Sequence, residues 1–298
     1  MPLRQPELQL HLARAQAALT PAHQATRMAD LHWGAAALQE QLAPLQSGLR
    51  VEVLARCAST NTLLIERARG GDTTPCLLLA LEQTQGRGRL GRSWQSADAS
   101  AIGASLTFSL AMPLAPRDWQ GLSLAVGVAL ADALEPQGAR IGLKWPNDLW
   151  LVDAPGRGRK LAGILIETVA VAGKHVAVVG VGINVLPLET SAPGTGYACL
   201  QELQSDVDAS TAWARVAAPL LRALQGFEAH GLAPFVDAFT RRDLLRGQPI
   251  QTTQPGAEQG LCEGIDAQGA LLLRAGSALH AIHSGEVSVR PMPRPANV

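Results

Sequence analysis

The residues best suited to chemistry lie in the stretch GRGRLGR at 86–92, which follows an apolar run that ends near Glu82. Alternating glycines let a backbone approach a ligand closely, and arginines offer forked donors that suit phosphate or carboxylate oxygens. The spacing fits neither the Walker motif nor the dinucleotide-binding glycine motif. The stretch therefore predicts an anion-binding loop, with a solvated turn or an RNA-binding arginine–glycine motif as the alternatives.

A second candidate site is KWPND at 144–148, within an apolar run. A lysine and a carboxylate are costly there unless they are paired or used by a ligand. Asp148 either forms a structural ion pair with Lys144 or holds a divalent cation against phosphate oxygens. Lys144, Lys160 and Lys174 are the only lysines among 25 basic residues. Because lysine and arginine differ in geometry and hydration, Lys144 and Lys160 are candidates for sites that need a compact ammonium, unless they are retained by chance.

Two shorter polar motifs sit at the ends of predicted strands. Ser59, Thr60 and Asn61 lie at a strand-to-helix junction, where they either cap the helix or receive a polar ligand. Asn184 follows two glycines at the end of an apolar strand, so it either reaches a ligand or marks a turn. The motifs G-x-S-x-G and H-E-x-x-H are absent, which leaves a hydrolytic triad and a zinc enzyme without support.

The composition narrows the class of protein. The chain has 298 residues, 47% of them hydrophobic, which is enough for about two domains with a buried core. Its 25 basic and 25 acidic residues leave no overall basic field for nucleic acid or a membrane surface. No apolar run reaches the roughly 18 residues of a membrane helix, and the four separated cysteines are expected to be reduced thiols. We therefore expect a soluble, cytoplasmic protein.

The predicted helices and strands group into domains that would position these polar motifs. The residues at 1–48 predict a helical extension, and short apolar runs between helices predict a mixed α+β domain at 49–245. Runs with frequent turn signals predict a small all-β domain at 246–291, followed by a tail at 292–298. Predicted helices cover about 30–43, 61–69, 121–134 and 210–242, and predicted strands begin near Val51, Cys76, Ile102, Leu143, Lys160 and His175.

Several motifs together resemble one family, the biotin protein ligases, also called biotin–[acetyl-CoA-carboxylase] ligases. They are STNT (59–62), EQTQGRGRLGRSW (82–94), KWPNDL (144–149), RKLAGILIE (159–167), GVGINV (180–185) and HSGEVSVR (283–290). The resemblance covers about residues 50 to 291. It implies a mixed sheet with flanking helices, as in class II synthetases, followed by a small SH3-like β-barrel.

The resemblance also implies a two-step reaction. Biotin attacks the α-phosphate of Mg-ATP to give biotinyl-5′-AMP and pyrophosphate, and a lysine of a biotin carboxyl carrier protein then displaces AMP. The first step joins two anions, so cationic side chains are expected and a covalent protein nucleophile is not. The implied cofactor is Mg²⁺, and the implied partner is the carrier subunit of acetyl-CoA carboxylase.

The resemblance assigns roles residue by residue. The implied biotin contacts are Ser59, Thr60, Asn61, Gln83, Arg87, Gly88, Arg89 and Lys160. The implied contacts to the nucleotide and its phosphates are Arg89, Arg92, Trp94, Lys144, Asn147, Asp148, Asn184 and Arg290, with Trp94 beside adenine. Lys160 and Arg89 are the implied catalytic residues, and Asp148 is the implied Mg²⁺ ligand.

Two other functions compete with this interpretation. One is a lipoate or octanoate ligase on the related fold, and the other is a biotin-binding transcriptional regulator or a pseudoenzyme. Bifunctional members of the family carry a DNA-binding domain before the catalytic domain, but the first 48 residues here have no recognition-helix pattern and no excess of basic residues. We therefore expect a ligase without repressor function and with no DNA or membrane partner.

Overall fold

The computed structural model describes residues 33–95, 101–138, 140–188, 196–285 and 287–292. Its main body is a seven-stranded mixed sheet with flanking helices, and a five-stranded antiparallel sheet follows towards the C-terminus. The predicted α+β class and the C-terminal β domain are thereby confirmed. None of the described helices is long and apolar enough to cross a membrane.

The described α-helices are α1 (Ala35–Leu42), α2 (Thr60–Arg69), α3 (Leu122–Leu134), α4 (Ala209–His230) and α5 (Val236–Arg242). The strands of the large sheet are β1 (Arg50–Cys57), β2 (Cys76–Gln83), β3 (Ser105–Pro113), β4 (Ile141–Lys144), β5 (Asp148–Ala154), β6 (Arg157–Val171) and β7 (Lys174–Asn184). The strands of the small sheet are β8 (Pro249–Thr252), β9 (Gln259–Ile265), β10 (Leu271–Ala275), β11 (Ala278–Ile282) and β12 (Val289–Pro291).

The large sheet is ordered β1-β2-β3-β7-β6-β5-β4, with β1 and β2 parallel and the other neighbours antiparallel. Both faces of its centre are covered, which explains the continuous apolar runs. Leu77 and Leu79 of β2 join the core formed with α3 and α4, whereas Leu78 joins the cluster around α2. The predicted helix at 210–242 contributes large apolar side chains to this core, and the following are all buried: Trp213, Val216, Leu220, Leu221, Leu224 and Phe227.

The structure corrects several predicted boundaries. The apolar run from Leu143 is two strands, β4 and β5, because it contains a proline, which cannot donate to a strand ladder. The helical region at 210–242 divides into α4 and α5, with Gly231 at a φ of 64° after the first helix. Ser59, and not Asn61, caps α2, since its Oγ accepts from the backbone N–H of Thr62 at 3.5 Å.

The predicted N-terminal extension is described only in part, because residues 1–32 lie outside the described residues. Helix α1 packs against β1 and α4, and the ring centroids of Trp33 and Trp213 are 6.4 Å apart. The described part of the extension, residues 33–48, therefore contributes to the core of the large domain.

The small sheet is ordered β11-β10-β9-β8-β12, with all neighbours antiparallel. A hairpin turn at 266–269 joins β9 to β10, and the N–H of Asp266 donates to the carbonyl of Ala270 at 2.9 Å. Trp145 Nε1 donates to the carbonyl of Gly269 at 3.0 Å and so ties this turn to the large domain. The domain boundary at 245/246 stays a prediction; it falls between the end of α5 and the start of β8.

Candidate active site

A cleft of about 760 Å³ lies between the large sheet, the loop at 86–94 and the last strand of the small sheet. We call residues 86–94 the arginine loop. With one exception, every candidate site residue lines this cleft: Ser59, Thr60, Asn61, Gln83, Arg87, Gly88, Arg89, Arg92, Trp94, Lys144, Asn147, Asp148, Lys160 and Arg290. The fold thus brings together motifs that are more than 200 residues apart in the sequence.

Glycines on β6 and β7 form the floor of the cleft. A Cβ on Gly180 would lie 2.3 Å from Asn61 Oδ1, and one on Gly182 would lie 2.3 Å from Trp94 Cε2. The Trp94 indole rests on Gly182 and also adjoins Gly163, where a Cβ would lie 3.4 Å from the ring. A side chain at Gly182 would displace the Trp94 indole, and one at Gly180 would displace the Asn61 amide, so these two glycines permit both groups to approach the sheet closely.

A buried polar network forms one end of the cleft. The N–H of Thr60 donates to Gln83 Oε1 at 2.7 Å, and the Thr60 hydroxyl lies 3.1 Å from the same oxygen. Ser109 Oγ lies 2.6 Å from both Thr60 Oγ1 and Asn61 Oδ1. Because Thr60, Asn61 and Ser109 are all buried, the network is a fixed arrangement of donors and acceptors that can orient a polar ring.

Cationic side chains form the other end of the cleft. Lys160 Nζ lies 2.8 Å from Asp148 Oδ1, outside hydrogen-bond geometry, and 5.7 Å from the centroid of the Trp94 ring. Lys144 Nζ lies 5.3 Å from the Trp150 ring, a cation–π distance. Of the two sequence alternatives for Asp148, the ion pair is present, but its close partner is Lys160 and not Lys144.

Lys144 is electrostatically the most unusual of these cations. Burial lowers the pKa of its ammonium to about 8 from 10.5, although the nearby Asp148 carboxylate opposes this shift. The ammonium of Lys160 and the guanidiniums of Arg92 and Arg290 also disfavour its charge. An anion bound beside Lys144 would offset the cost of burying its charge and the repulsion by the neighbouring cations, as expected for a site that binds phosphate.

Arg89 connects the arginine loop to the small domain. Its guanidinium donates to Asn147 Oδ1 at 3.2 Å, to the Gly285 carbonyl at 2.7 Å and to the Ser284 carbonyl. Partial burial lowers the pKa of Arg89, yet a guanidinium stays charged in proteins. Arg92 makes a second connection and donates to Ser288 Oγ at 3.0 Å. The arginine loop therefore forms one wall of the cleft and supplies part of the positive charge of the cleft.

Asn184 is the exception among the predicted site residues. It is buried behind β6, where its Nδ2 donates to the carbonyls of Lys160 at 3.1 Å and Ala198 at 3.0 Å. Both amide hydrogens are used by backbone acceptors, and the side chain does not line the cleft. The residue supports the backbone of Lys160, and its nucleotide contact stays a prediction.

Sequence reasoning missed four residues that the structure brings to the site. Ser109 completes the polar network, Trp150 lies beside Lys144, Arg157 lines the cleft, and Glu167 pairs with Arg87 at 2.8 Å. Two of them had a detectable signal. Ser109 and Glu167 are polar residues within apolar strands, where an unpaired group would be costly.

No side-chain cluster in the described part of the chain can bind a metal by itself. The described residues contain no group of three or more His, Cys, Asp or Glu side chains in a ligating arrangement. Asp148 is the carboxylate that lines the cleft. A cation here would need most of its oxygen ligands from a substrate or from water, which is how Mg²⁺ is usually bound at phosphate sites.

Comparison with known proteins gives two family matches. The Biotin/lipoate A/B protein ligase family matches residues 53–184, and the Biotin protein ligase C terminal domain matches residues 247–290. The second match begins within two residues of the predicted start of the small domain. Together the two matches include every candidate site residue.

Individual relatives agree with these matches. The bifunctional ligase/repressor BirA of Escherichia coli is 37% identical over 253 residues, which are 82% of this chain and 75% of that protein. The biotin–[acetyl-CoA-carboxylase] ligase of Mycobacterium tuberculosis is 34% identical over 84% of this chain and 93% of its own length. The structure of the Aquifex aeolicus biotin protein ligase in complex with biotin and ATP has a TM-score of 0.67 and 27% identity, and the match covers 81% of this chain and 99% of that one.

Proposed function

The chain belongs to the biotin protein ligase family, and on that basis we propose that it joins biotin to a lysine of a biotin carboxyl carrier protein at the expense of ATP. In the first step, a carboxylate oxygen of biotin bonds to the α-phosphorus of ATP and pyrophosphate leaves. In the second step, the lysine nitrogen bonds to the carbonyl carbon of biotinyl-5′-AMP, AMP leaves and the amine loses a proton.

The observation that best supports this proposal is the division of one cleft into a neutral polar end and a cationic end. The polar end can hold an uncharged ring through fixed hydrogen bonds. The cationic end, with Arg89, Lys144 and Lys160, suits the meeting of a carboxylate with a triphosphate. Such charges lower the barrier because they stabilise the developing charge on the phosphoryl oxygens and are already in place.

The proposed residue roles follow from this division. The network of Thr60, Gln83 and Ser109 orients the ring system of biotin. Lys160 lies between the biotin carboxylate and the α-phosphate, and Arg89 closes over the same region. The proposed nucleotide contacts are Arg92, Trp94, Lys144, Asn147, Asp148 and Arg290. Asn184 supports the backbone of Lys160.

We assign Mg²⁺ to Asp148 and the phosphate oxygens of ATP. When bound, the ion would neutralise part of the phosphate charge. Asp148 lines the cleft beside the cationic side chains of Arg89, Lys144 and Lys160. Its carboxylate fits this role, since Mg²⁺ commonly takes one or two carboxylates and completes its shell with phosphates and water. Within the protein, the Asp148 carboxylate is positioned by the Lys160 ammonium, which lies 2.8 Å from it.

Asp148→Asn is expected to raise the Mg²⁺ concentration that gives half-maximal exchange between ATP and pyrophosphate. Even outer-shell residues alter metal affinity by about 10–100-fold, so a shift of about 10-fold or more is expected for a direct ligand. Asp237→Asn, on the exposed face of α5, is the control. An unchanged Mg²⁺ titration in Asp148→Asn would remove the residue from the metal role.

The low pKa of Lys144 predicts a specific pH dependence. Below a pH of about 8 its ammonium is charged and attracts the phosphates, and above that pH the free enzyme progressively loses the charge. The kcat/KM for ATP, which reports the free enzyme, should therefore fall as the pH rises through about 8. Lys144→Arg stays charged and should abolish the fall, even if its overall activity is lower. A wild-type profile that stays flat to a pH of about 9.5 would contradict the phosphate role.

The second half-reaction is tested with purified protein, biotin, ATP, Mg²⁺ and a biotin carboxyl carrier domain. We expect the carrier to gain the mass of one biotinyl group, and to gain nothing when its acceptor lysine is replaced by arginine. Lipoate and octanoate should give no product. Transfer of a lipoyl or octanoyl group in place of biotin would instead identify the related acyl ligase.

The proposed carrier is that of acetyl-CoA carboxylase, after the name of the Mycobacterium tuberculosis relative. We place the reaction in the cytoplasm, which supplies ATP and keeps thiols reduced; the four cysteines are free. The expected lack of DNA binding stays a prediction, and a gel shift at physiological salt checks it.

A further inference from the structure

Glu167 is the one carboxylate that contacts the arginine loop directly among the described residues. Its Oε1 accepts from Arg87 Nη2 at 2.8 Å, and its Oε2 accepts from Arg87 Nη1 at 3.2 Å. This is the two-pronged arrangement that gives arginine–carboxylate pairs both strength and direction. Arg87 Nη1 is also within 3.4 Å of Thr62 Oγ1. The guanidinium of Arg87 thus has partners on α2 and β6, so Arg87 lines the cleft as a paired cation and not as a free one.

The same carboxylate also holds the buried polar network. Glu167 Oε2 accepts from Asn61 Nδ2 at 3.0 Å, and that amide nitrogen donates to the Leu165 carbonyl as well, at 3.2 Å. Asn61 Oδ1 is 2.6 Å from Ser109 Oγ. The Asn61 side chain is 3% exposed and lies against Gly180, so it has no room to turn. Glu167 therefore joins a fixed network on one side to a surface loop on the other.

A simple surface ion pair would explain the Arg87 contact but not this second connection. Exposed pairs usually contribute little to stability because solvent screens them. The chain contains a close comparison in Glu263 and Arg274, a two-pronged pair between β9 and β10 that does not line the cleft. Side-chain exposures are 24% and 47% for Glu167 and Arg87, and 32% and 41% for Glu263 and Arg274. The two pairs thus differ mainly in what they connect.

We propose that Glu167 is a positioning residue for biotin, which fixes the arginine loop to the polar end of the cleft through Arg87 and Asn61. Arg87 is then an anchor of the loop, and the charge on the biotin carboxylate is met by Lys160 and Arg89. Gly88, next in the chain, lines the cleft. This inference rests on the proposed function, since it assigns the residue to biotin binding.

Glu167→Gln tests the inference, with Glu263→Gln as the matched control. The change keeps the size of the side chain but removes the charge and one acceptor. We expect the KM for biotin in ATP–pyrophosphate exchange to rise about 10-fold, the size of one charge-assisted hydrogen bond, while kcat changes by less than about 3-fold. Glu263→Gln should match the wild type in both constants.

Limited proteolysis gives a second readout that needs no activity. Trypsin cleaves after arginine, and the loop offers Arg87, Arg89 and Arg92. With the anchor removed, the loop should open more often, so early cleavage at 87–92 in the ligand-free protein should be faster in Glu167→Gln than in the wild type or Glu263→Gln. Saturating biotin should reduce the difference in cleavage rate between Glu167→Gln and the wild type.

Arg87→Gln removes the same pair from the exposed side, where misfolding is not expected. It should raise the KM for biotin by a similar factor, and combining it with Glu167→Gln should add little, because both changes break one connection. If the two changes raised the KM for biotin independently, so that their factors multiplied in the double variant, that result would overturn the inference. So would a Glu167→Gln protein with wild-type KM and wild-type cleavage, or one that loses kcat at an unchanged KM.

Failure of the proposed function would look different. In that case the wild type itself would show no biotin-dependent exchange. The proteolysis comparison would then still show whether Glu167 anchors the loop, and equal cleavage rates would reject that anchor.

Discussion

Lys160→Ala is expected to lower biotin-dependent ATP–pyrophosphate exchange by about 10²–10³-fold, as observed when one preorganised charge contact to a transition state is removed. The ammonium lies at the centre of the cationic end, 2.8 Å from Asp148 and beside the Trp94 ring. Its backbone is fixed on both sides, since Asn184 holds its carbonyl and its N–H donates to the Gly196 carbonyl at 3.2 Å. A cation held this firmly needs little reorganisation during the reaction.

Lys174→Ala is the matched control, because Lys174 is exposed at the start of β7 and does not line the cleft. It should exchange at the wild-type rate. Both variants should unfold at similar denaturant concentrations, since Lys160 is only partly buried and contributes little to the core. Normal exchange in Lys160→Ala would show that adenylate formation does not depend on this ammonium.

Arg89→Ala is expected to lower the same exchange by about 10²-fold or more. The substitution removes a charge from the cationic end and also the contacts to Asn147 and to the Gly285 carbonyl. The arginine loop would then lose one of its two connections to the small domain and keep the one through Arg92. We therefore expect a fall in kcat together with a rise in the KM for ATP.

Arg222→Ala, on the exposed face of α4, is the control for loss of an arginine. Arg89→Lys separates the two roles, because a lysine keeps the charge but lacks the planar guanidinium fork that reaches both Asn147 and the carbonyls of the small domain. It should recover only part of the activity. If Arg89→Ala exchanges normally, the arginine loop does not supply charge to the reaction.

Much of the fold could be predicted because local signals and tertiary packing agree. Strand β2 begins and ends where its apolar run does, and α3 starts one residue after the predicted position. Predictions failed where one residue overrides the local pattern. The proline in KWPND breaks one apolar run into β4 and β5, and Gly231 ends α4 before the predicted helical region is complete.

The residues that line the cleft could be predicted for a different reason, because nearly all the candidates lie within the sequence motifs of the family. What sequence could not supply was the pairing of side chains that lie far apart in the chain. Asp148 stands four residues from Lys144, but its carboxylate meets Lys160, because the antiparallel pairing of β5 and β6 brings Lys160 to the same region. Asn184 fits the motif too, yet two backbone carbonyls use its amide.

The central claim is that this cleft makes biotinyl-5′-AMP. The most direct measurement is exchange of labelled pyrophosphate into ATP by the purified protein with Mg²⁺ and each of three acids in turn: biotin, lipoate and octanoate. We predict exchange with biotin and none with the other two. Exchange with lipoate or octanoate but not with biotin, or no exchange with any acid, would contradict the account.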